Sequence, residues 1–127
     1  MKEKNTVFYK CDICGNIIGL IDGDIDHMTC CGQKMKLLVA NSQDAAEEKH
    51  VPVYEKVEDE IVVKVGEKEH PMEKDHYIMW VAQVSDNQTT RVRLYPEQGI
   101  AVRFKYIPGA TIYAYCNKHG LWKTEVK

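Results

Sequence analysis

Residues 51–65 read "VPVYEKVEDEIVVKV". Two runs that alternate or stay apolar, "VPVYEKV" and "EIVVKV", meet at the charged "EDE", the pattern of a β-hairpin. Toward the C-terminus the same signal recurs in "HYIMWVAQV", "TRVRLY", "IAVRFKYI", "TIYAYC" and "LWKTEV". Turn chemistry separates these runs at "SDNQ", "PEQG", "PG" and "NKHG". About seven short strands at this spacing predict an antiparallel β-sandwich. "TRVRLY" and "VRFKY" alternate cleanly, so each should carry one wet face.

The character changes toward the N-terminus. Residues 39–49, "VANSQDAAEEK", are polar and Ala/Glu-rich, and read as a linker with one helical turn that Asn41 or Ser42 would cap. Residues 1–37 hold four of the five cysteines, four of the eight glycines and only the short apolar segments "TVFY", "NIIGLI" and "MKLL". So small a unit buries little surface and needs a staple, which a metal can provide. The expected organisation is mainly β, with a metal-knuckle domain over 1–37, a linker over 38–46 and the β-sandwich over 47–127.

Composition narrows the function classes. The 127 residues are 44% hydrophobic and 28% charged, ordinary values for a globular protein. A net charge of -2, with both signs mixed along the chain, leaves no basic stripe for nucleic acid. No apolar run approaches the roughly 20 residues needed to span a bilayer. "MKEKNTVFYK" lacks the apolar core of a signal peptide, which points to the cytoplasm.

Five cysteines is an odd number, and Cys30 and Cys31 are adjacent, which disfavours a disulfide framework. In a reducing compartment clustered thiols serve as metal ligands. "YKCDICGN" and "MTCCGQKM" place Cys11, Cys14, Cys30 and Cys31 in one small unit. Gly15 after the Cys-x-x-Cys loop allows the positive φ that turns backbone N–H groups toward the sulfurs. Four thiolates suit tetrahedral zinc and a single iron alike, and the adjacent pair should distort the tetrahedron.

Of the five histidines, His27 reads as a surface residue. His50, His70, His76 and His119 lie in distinctive settings within the β region: "EEKHVPV", "KEHPMEKDHYIMW" and "CNKHG". With Cys116, three residues before His119, they compose a set of four imidazoles and one thiolate. Structural zinc closes its shell with four ligands, whereas five such donors suit iron and leave one octahedral position open. The plain alternative is a scatter of surface histidines and one buried cysteine.

The order Cys-x-x-Cys, Cys-Cys, "EKHVPV", "HPM", "HYI", "CNKHG" resembles desulfoferrodoxin, the two-iron class of superoxide reductase, over essentially the whole chain. The resemblance implies a rubredoxin- or desulforedoxin-like iron site at Cys11, Cys14, Cys30 and Cys31, ahead of an immunoglobulin-like sandwich. It implies a catalytic iron with His50, His70, His76 and His119 in the equatorial plane and Cys116 as axial thiolate. Lys49 and Glu48 match the lysine and glutamate that flank the open position, Glu48 as sixth ligand of the ferric state. Also implied are two iron ions per chain with neither haem nor flavin, superoxide as substrate, rubredoxin as electron donor and a cytoplasmic homodimer. The competing reading is a non-catalytic two-iron electron carrier.

Overall fold

The computed structural model describes residues 7–23, 27–42, 47–66 and 70–127. They form two compact units, Met1–Val39 and Ala40–Lys127.

In the N-terminal unit β1 (Val7–Lys10) lies antiparallel between β2 (Ile17–Leu20) and β5 (Lys36–Leu37). A second ribbon pairs β3 (Thr29–Cys30) with β4 (Gln33–Lys34). Its buried apolar side chains are Phe8, Cys11 and Met35 among the described residues. A core of that size is too small to hold a fold unaided, so the cysteine set has a structural task as well as a chemical one.

The C-terminal unit, from Ala40 onward, opens with Asn41 and carries the helical turn α1 (Glu47–His50). The expected hairpin is β6 (Pro52–Val57) and β7 (Glu60–Val65), joined by Glu58–Asp59 with Glu58 at φ 58°. With β10 (Val102–Lys105) they form a sheet of order β10-β7-β6. The facing sheet has order β12-β11-β8-β9, built from β8 (Ile78–Val84), β9 (Thr89–Arg93), β11 (Thr111–Cys116) and β12 (Gly120–Glu125). All pairings are antiparallel, and the seven strands form the expected sandwich.

The period-2 pattern explains which side chains meet inside. Ile61, Val63 and Val65 of β7 and Val102 and Phe104 of β10 face Val81 of β8 and Ile112 and Ala114 of β11. Cys116 continues the buried row of β11 to the end of the sandwich. One polar group enters this core: the Gln83 amide donates to the Lys105 carbonyl (3.1 Å), tying β8 to the edge strand of the other sheet. At the C-terminus the Lys127 N–H donates to the Tyr54 hydroxyl, and the Tyr106 hydroxyl donates to the Lys127 carbonyl.

The one correction concerns the linker. Asn41 does not cap a helix: it sits at φ 60°, and its backbone N–H donates to Leu121 O (2.9 Å). Its side-chain oxygen accepts from Lys123 N (2.9 Å), so the residue docks on the outer edge of β12. An asparagine amide can satisfy strand backbone as readily as a helix terminus, and short-range sequence does not distinguish the two. The expected helical turn is present at Glu47–His50, where it carries Lys49 and His50. Residues 43–46 of the expected linker lie outside the described residues.

Ile112 is fully buried at the centre of β11. Ile112→Ala is expected to destabilise the sandwich by about 2–5 kcal/mol and Ile112→Val by about 0.5–1.5 kcal/mol. Both tryptophans, Trp80 and Trp122, lie in this unit, so their fluorescence during chemical unfolding reads it selectively.

Candidate metal centres

The first cluster is built by two turns. In the knuckle, Gly15 at φ 83° returns its N–H to Cys11 O (2.9 Å), Cys11 N–H donates to Asn16 O (2.9 Å), and Cys14 N–H faces Cys11 Sγ (3.5 Å). The adjacent cysteines use a different device. Cys30 ends β3, while Cys31 (φ 53°) and Gly32 (φ 79°) form the two-residue loop to β4. Two successive positive φ angles define a type I′ turn, a conformation uncommon for a residue with a side chain. That turn swings the Cys31 side chain to where its sulfur joins that of Cys30.

All four sulfurs lie within 4.8 Å of one another, with Cys14 and Cys30 Sγ 3.4 Å apart. Sulfurs bound at about 2.3 Å around one tetrahedral ion would be about 3.8 Å apart, so the spacing fits a shared metal and is far too long for disulfides. The thiols behave as a crowded set. The Cys14 backbone N–H brings Cys11 down to about 6, whereas hydrogen bonding to Cys14 pushes Cys30 up to about 12 and raises Cys31. Four thiolates cannot ionise side by side without a cation, which is the state a bound metal would stabilise.

The second cluster closes one end of the sandwich. His50 comes from α1, His70 and His76 from the connection between β7 and β8, Cys116 from the end of β11 and His119 from the turn into β12. Ring centroids of His50–His70, His70–His76, His76–His119 and His119–His50 are 4.6, 4.9, 5.1 and 4.8 Å apart. The four near-equal sides close on themselves, which sets His50 opposite His76 and His70 opposite His119. Interplanar angles of 74–85° turn each ring edge-on to its neighbours.

Hydrogen bonding identifies the donor atoms. His70 Nδ1 lies 2.7 Å from Pro71 O and must donate to it, leaving Nε2 as the free lone pair. His70 Nε2 and His76 Nε2 are buried without a partner. His50 Nε2 and His119 Nδ1 are 3.1 Å apart, close to the roughly 3.0 Å between nitrogens bound at right angles about 2.1 Å from one ion. The atoms positioned to hold a metal are therefore Nε2 of His50, His70 and His76 and Nδ1 of His119. Cys116 Sγ, in a fully buried residue, lies within 4.8 Å of the first three rings and 3.9 Å from His119 Nδ1. Burial brings His70 down to about 4 and lowers His76, so both rings are neutral near pH 7 and ready to ligate. Burial pushes the Cys116 thiol up, against the N–H groups of Lys118 and His119, which face the sulfur and pull it down.

The surroundings hold this set, Asn117 and Trp122 in roles that composition and spacing leave unread. Asn117, between the two C-terminal ligands, accepts from Tyr77 N (3.0 Å) and donates to Asp75 O (3.1 Å), clasping both neighbours of His76. The Trp122 ring stacks on His50 at 5.0 Å, and its indole N–H donates to His119 O (3.0 Å). Gly120, at φ 82°, lets the three-residue loop 117–119 close as a bulged hairpin. Lys49 is exposed beside His50, and Glu48 precedes it on α1 with its side chain outside the described set. His27 is exposed.

The profile of the desulfoferrodoxin family matches residues 42–125, and that of the desulfoferrodoxin N-terminal domain matches residues 2–38. The chain belongs to the desulfoferrodoxin family. The desulfoferrodoxin of Syntrophotalea carbinolica is 45% identical over 126 residues, covering 98% of this chain and 99% of that one. The crystal structure of the superoxide reductase from Treponema pallidum superposes with a TM-score of 0.74 at 28% identity, covering 94% of this chain and 98% of that one. The one-iron superoxide reductase of Giardia intestinalis superposes with a TM-score of 0.54 at 26% identity, covering 61% of this chain and 95% of its own. The four-cysteine set and the mixed set of four histidines and one cysteine match the two iron centres of the family, and the cofactors are two iron ions per chain.

Asn117→Ala releases the loop that carries His76. Loss of such support to a ligand typically weakens metal binding by about 10–100-fold. Iron retention during competition with a chelator is expected to fall accordingly at the mixed histidine–cysteine site and to be unchanged at the four-cysteine site. Asn117→Asp, which keeps the acceptor for Tyr77 N but loses the donor to Asp75 O, should fall between.

Proposed function

We propose that this chain is a superoxide reductase, reducing superoxide by one electron at the mixed histidine–cysteine centre: O2•− plus one electron and two protons gives hydrogen peroxide. The observation that carries this reading is the closed ring of four imidazoles beside one buried cysteine. Iron bound there supplies a one-electron couple with one coordination position that the five protein donors leave open. Dismutation would release O2, whereas this reaction releases none and draws on an external donor.

The side chains divide the work. The four histidines hold the plane, with Pro71 O fixing the tautomer of His70 and Trp122 fixing the tilt of His50. Cys116, fully buried, would hold the iron by its thiolate, and Lys49 is exposed next to His50 on the helical turn. The compact Lys49 ammonium draws in a small anion and holds a water that delivers protons to the product. Glu48, next to Lys49 on the same turn, would offer a carboxylate to an iron held there.

Cys11, Cys14, Cys30 and Cys31 form the second iron site, an electron-transfer or structural centre. Rubredoxin as donor, a homodimeric assembly and a cytoplasmic setting complete this reading. Five free cysteines suit a reducing compartment. Among the described residues no helix is long and apolar enough to cross a membrane.

Pulse radiolysis of the reduced protein tests the activity: rapid second-order oxidation is expected, with one peroxide per electron and no O2. A protein that exchanges electrons yet leaves superoxide untouched is instead the electron carrier. Lys49→Ala should slow the bimolecular step about tenfold or more and flatten its dependence on ionic strength. An unchanged rate and salt slope would remove Lys49 from the mechanism.

Cys14→Ser should disrupt the spectrum of the four-cysteine iron while superoxide reduction with a chemical reductant persists. The alignment of the one-iron Giardia enzyme to only part of the chain supports that independence.

A further inference from the structure

Met72 is the residue of "HPM" that the two metal centres leave without a role. It lies on the connection between β7 and β8 that supplies two adjacent corners of the imidazole ring, His70 and His76, whose centroids are 4.9 Å apart. The two sides of the ring that meet at His119 are braced by Asn117 and Trp122. The His70–His76 side lies within one stretch of chain. There Glu73 and His76 exchange both backbone hydrogen bonds (3.0 and 3.2 Å) and close a two-residue turn over Lys74 and Asp75. The Met72 thioether joins the arms on either side of that turn: its sulfur accepts from Ile78 N–H at 3.4 Å. Met72 and Ile78 each stand two residues beyond a ligand, so this contact ties the two ligand segments together. The Met72 carbonyl accepts from Glu97 N–H (2.6 Å), with Glu97 at φ 67° in the loop after β9. The side chain is half-buried and packs against the sandwich core.

We infer that Met72 is a positioning residue for the mixed histidine–cysteine site, its sulfur setting the spacing between His70 and His76. The inference rests on that site holding iron and not on the reaction proposed there. Pro71 O fixes how the His70 ring is turned, whereas Met72 fixes how far that ring stands from His76. A thioether is a weak acceptor, yet this setting gives it weight. Ile78 is fully buried, so no water takes the place of the sulfur once it is gone.

The test uses the full two-iron chain with Met72→Leu, which keeps the volume and removes the acceptor, and Met72→Gln, which keeps an acceptor at similar reach. Iron retention against a chelator at the mixed site is expected to fall about tenfold in Leu and to return to the parent level in Gln. The electron paramagnetic resonance of the ferric mixed site should broaden in Leu as the imidazole spacing spreads, and exchange of the Ile78 amide hydrogen should quicken. Both should be parent-like in Gln. Iron retention at the four-cysteine site and far-UV circular dichroism should match across the series, which separates a brace on two ligands from a disturbed fold. Parent-like retention and resonance in Leu overturn the inference, and so does equal loss in Leu and Gln, which would make packing the determinant. If Leu does not fold, Gln alone decides: parent-like retention supports the brace and weakened retention overturns it. A parent chain that binds iron only at the four cysteines would refute the mixed site itself and the inference with it, an outcome distinct from failure of the variants.

Discussion

His70 Nε2 and His76 Nε2 are buried nitrogens with no hydrogen-bond partner. A buried polar atom left unsatisfied costs about 1–3 kcal/mol, and two of them at one end of a sandwich would be a defect if nothing were meant to bind there. The surrounding structure maintains that defect. Pro71 O takes the only hydrogen His70 can donate, Trp122 covers His50, and Asn117 pins both neighbours of His76. The open end of the sandwich holds lone pairs apart from hydrogen and aims them at one another. A cation restores the balance, so metal binding and the local fold stabilise each other.

The sandwich was largely legible because antiparallel strands with one buried face alternate. β7 and β10 show that alternation in burial as they do in sequence. β8 is less transparent: Trp80 and Ala82 on one face and Val81 on the other are all buried, so periodicity there marks a central strand without giving its orientation. The linker was the least legible segment, because Asn41 satisfies backbone about 80 residues away at Leu121. No local pattern encodes a partner at that separation.

The ligands of both centres were visible as residue types at suggestive spacings, but the means of positioning them were not. The adjacent Cys30–Cys31 pair looked like a distortion of a knuckle. The structure instead makes it a type I′ hairpin, in which the Cys-Gly dipeptide supplies the two positive φ angles. Asn117 stood inside a motif noticed for Cys116 and His119, yet its partners lie some 40 residues earlier. Histidine tautomers were equally beyond reach, because the choice between Nδ1 and Nε2 depends on carbonyls that only the folded chain brings near.

The two centres use the same sulfur chemistry to opposite electrostatic ends. Four thiolates outnumber the charge of either ferrous or ferric iron, so the four-cysteine centre is anionic and repels an anionic substrate. One thiolate among four imidazole ligands would leave the other centre cationic in both states, and the exposed Lys49 follows on the turn that carries His50. An anion as small as superoxide, with no shape for a pocket to read, is selected by charge and by the presence of an open position. Exposure follows the same division: Cys14 and Cys31 lie at the surface, whereas Cys116 is sealed in the core, where two backbone N–H groups face its sulfur. The number of thiolates around each iron, more than the fold that carries it, determines which centre meets superoxide.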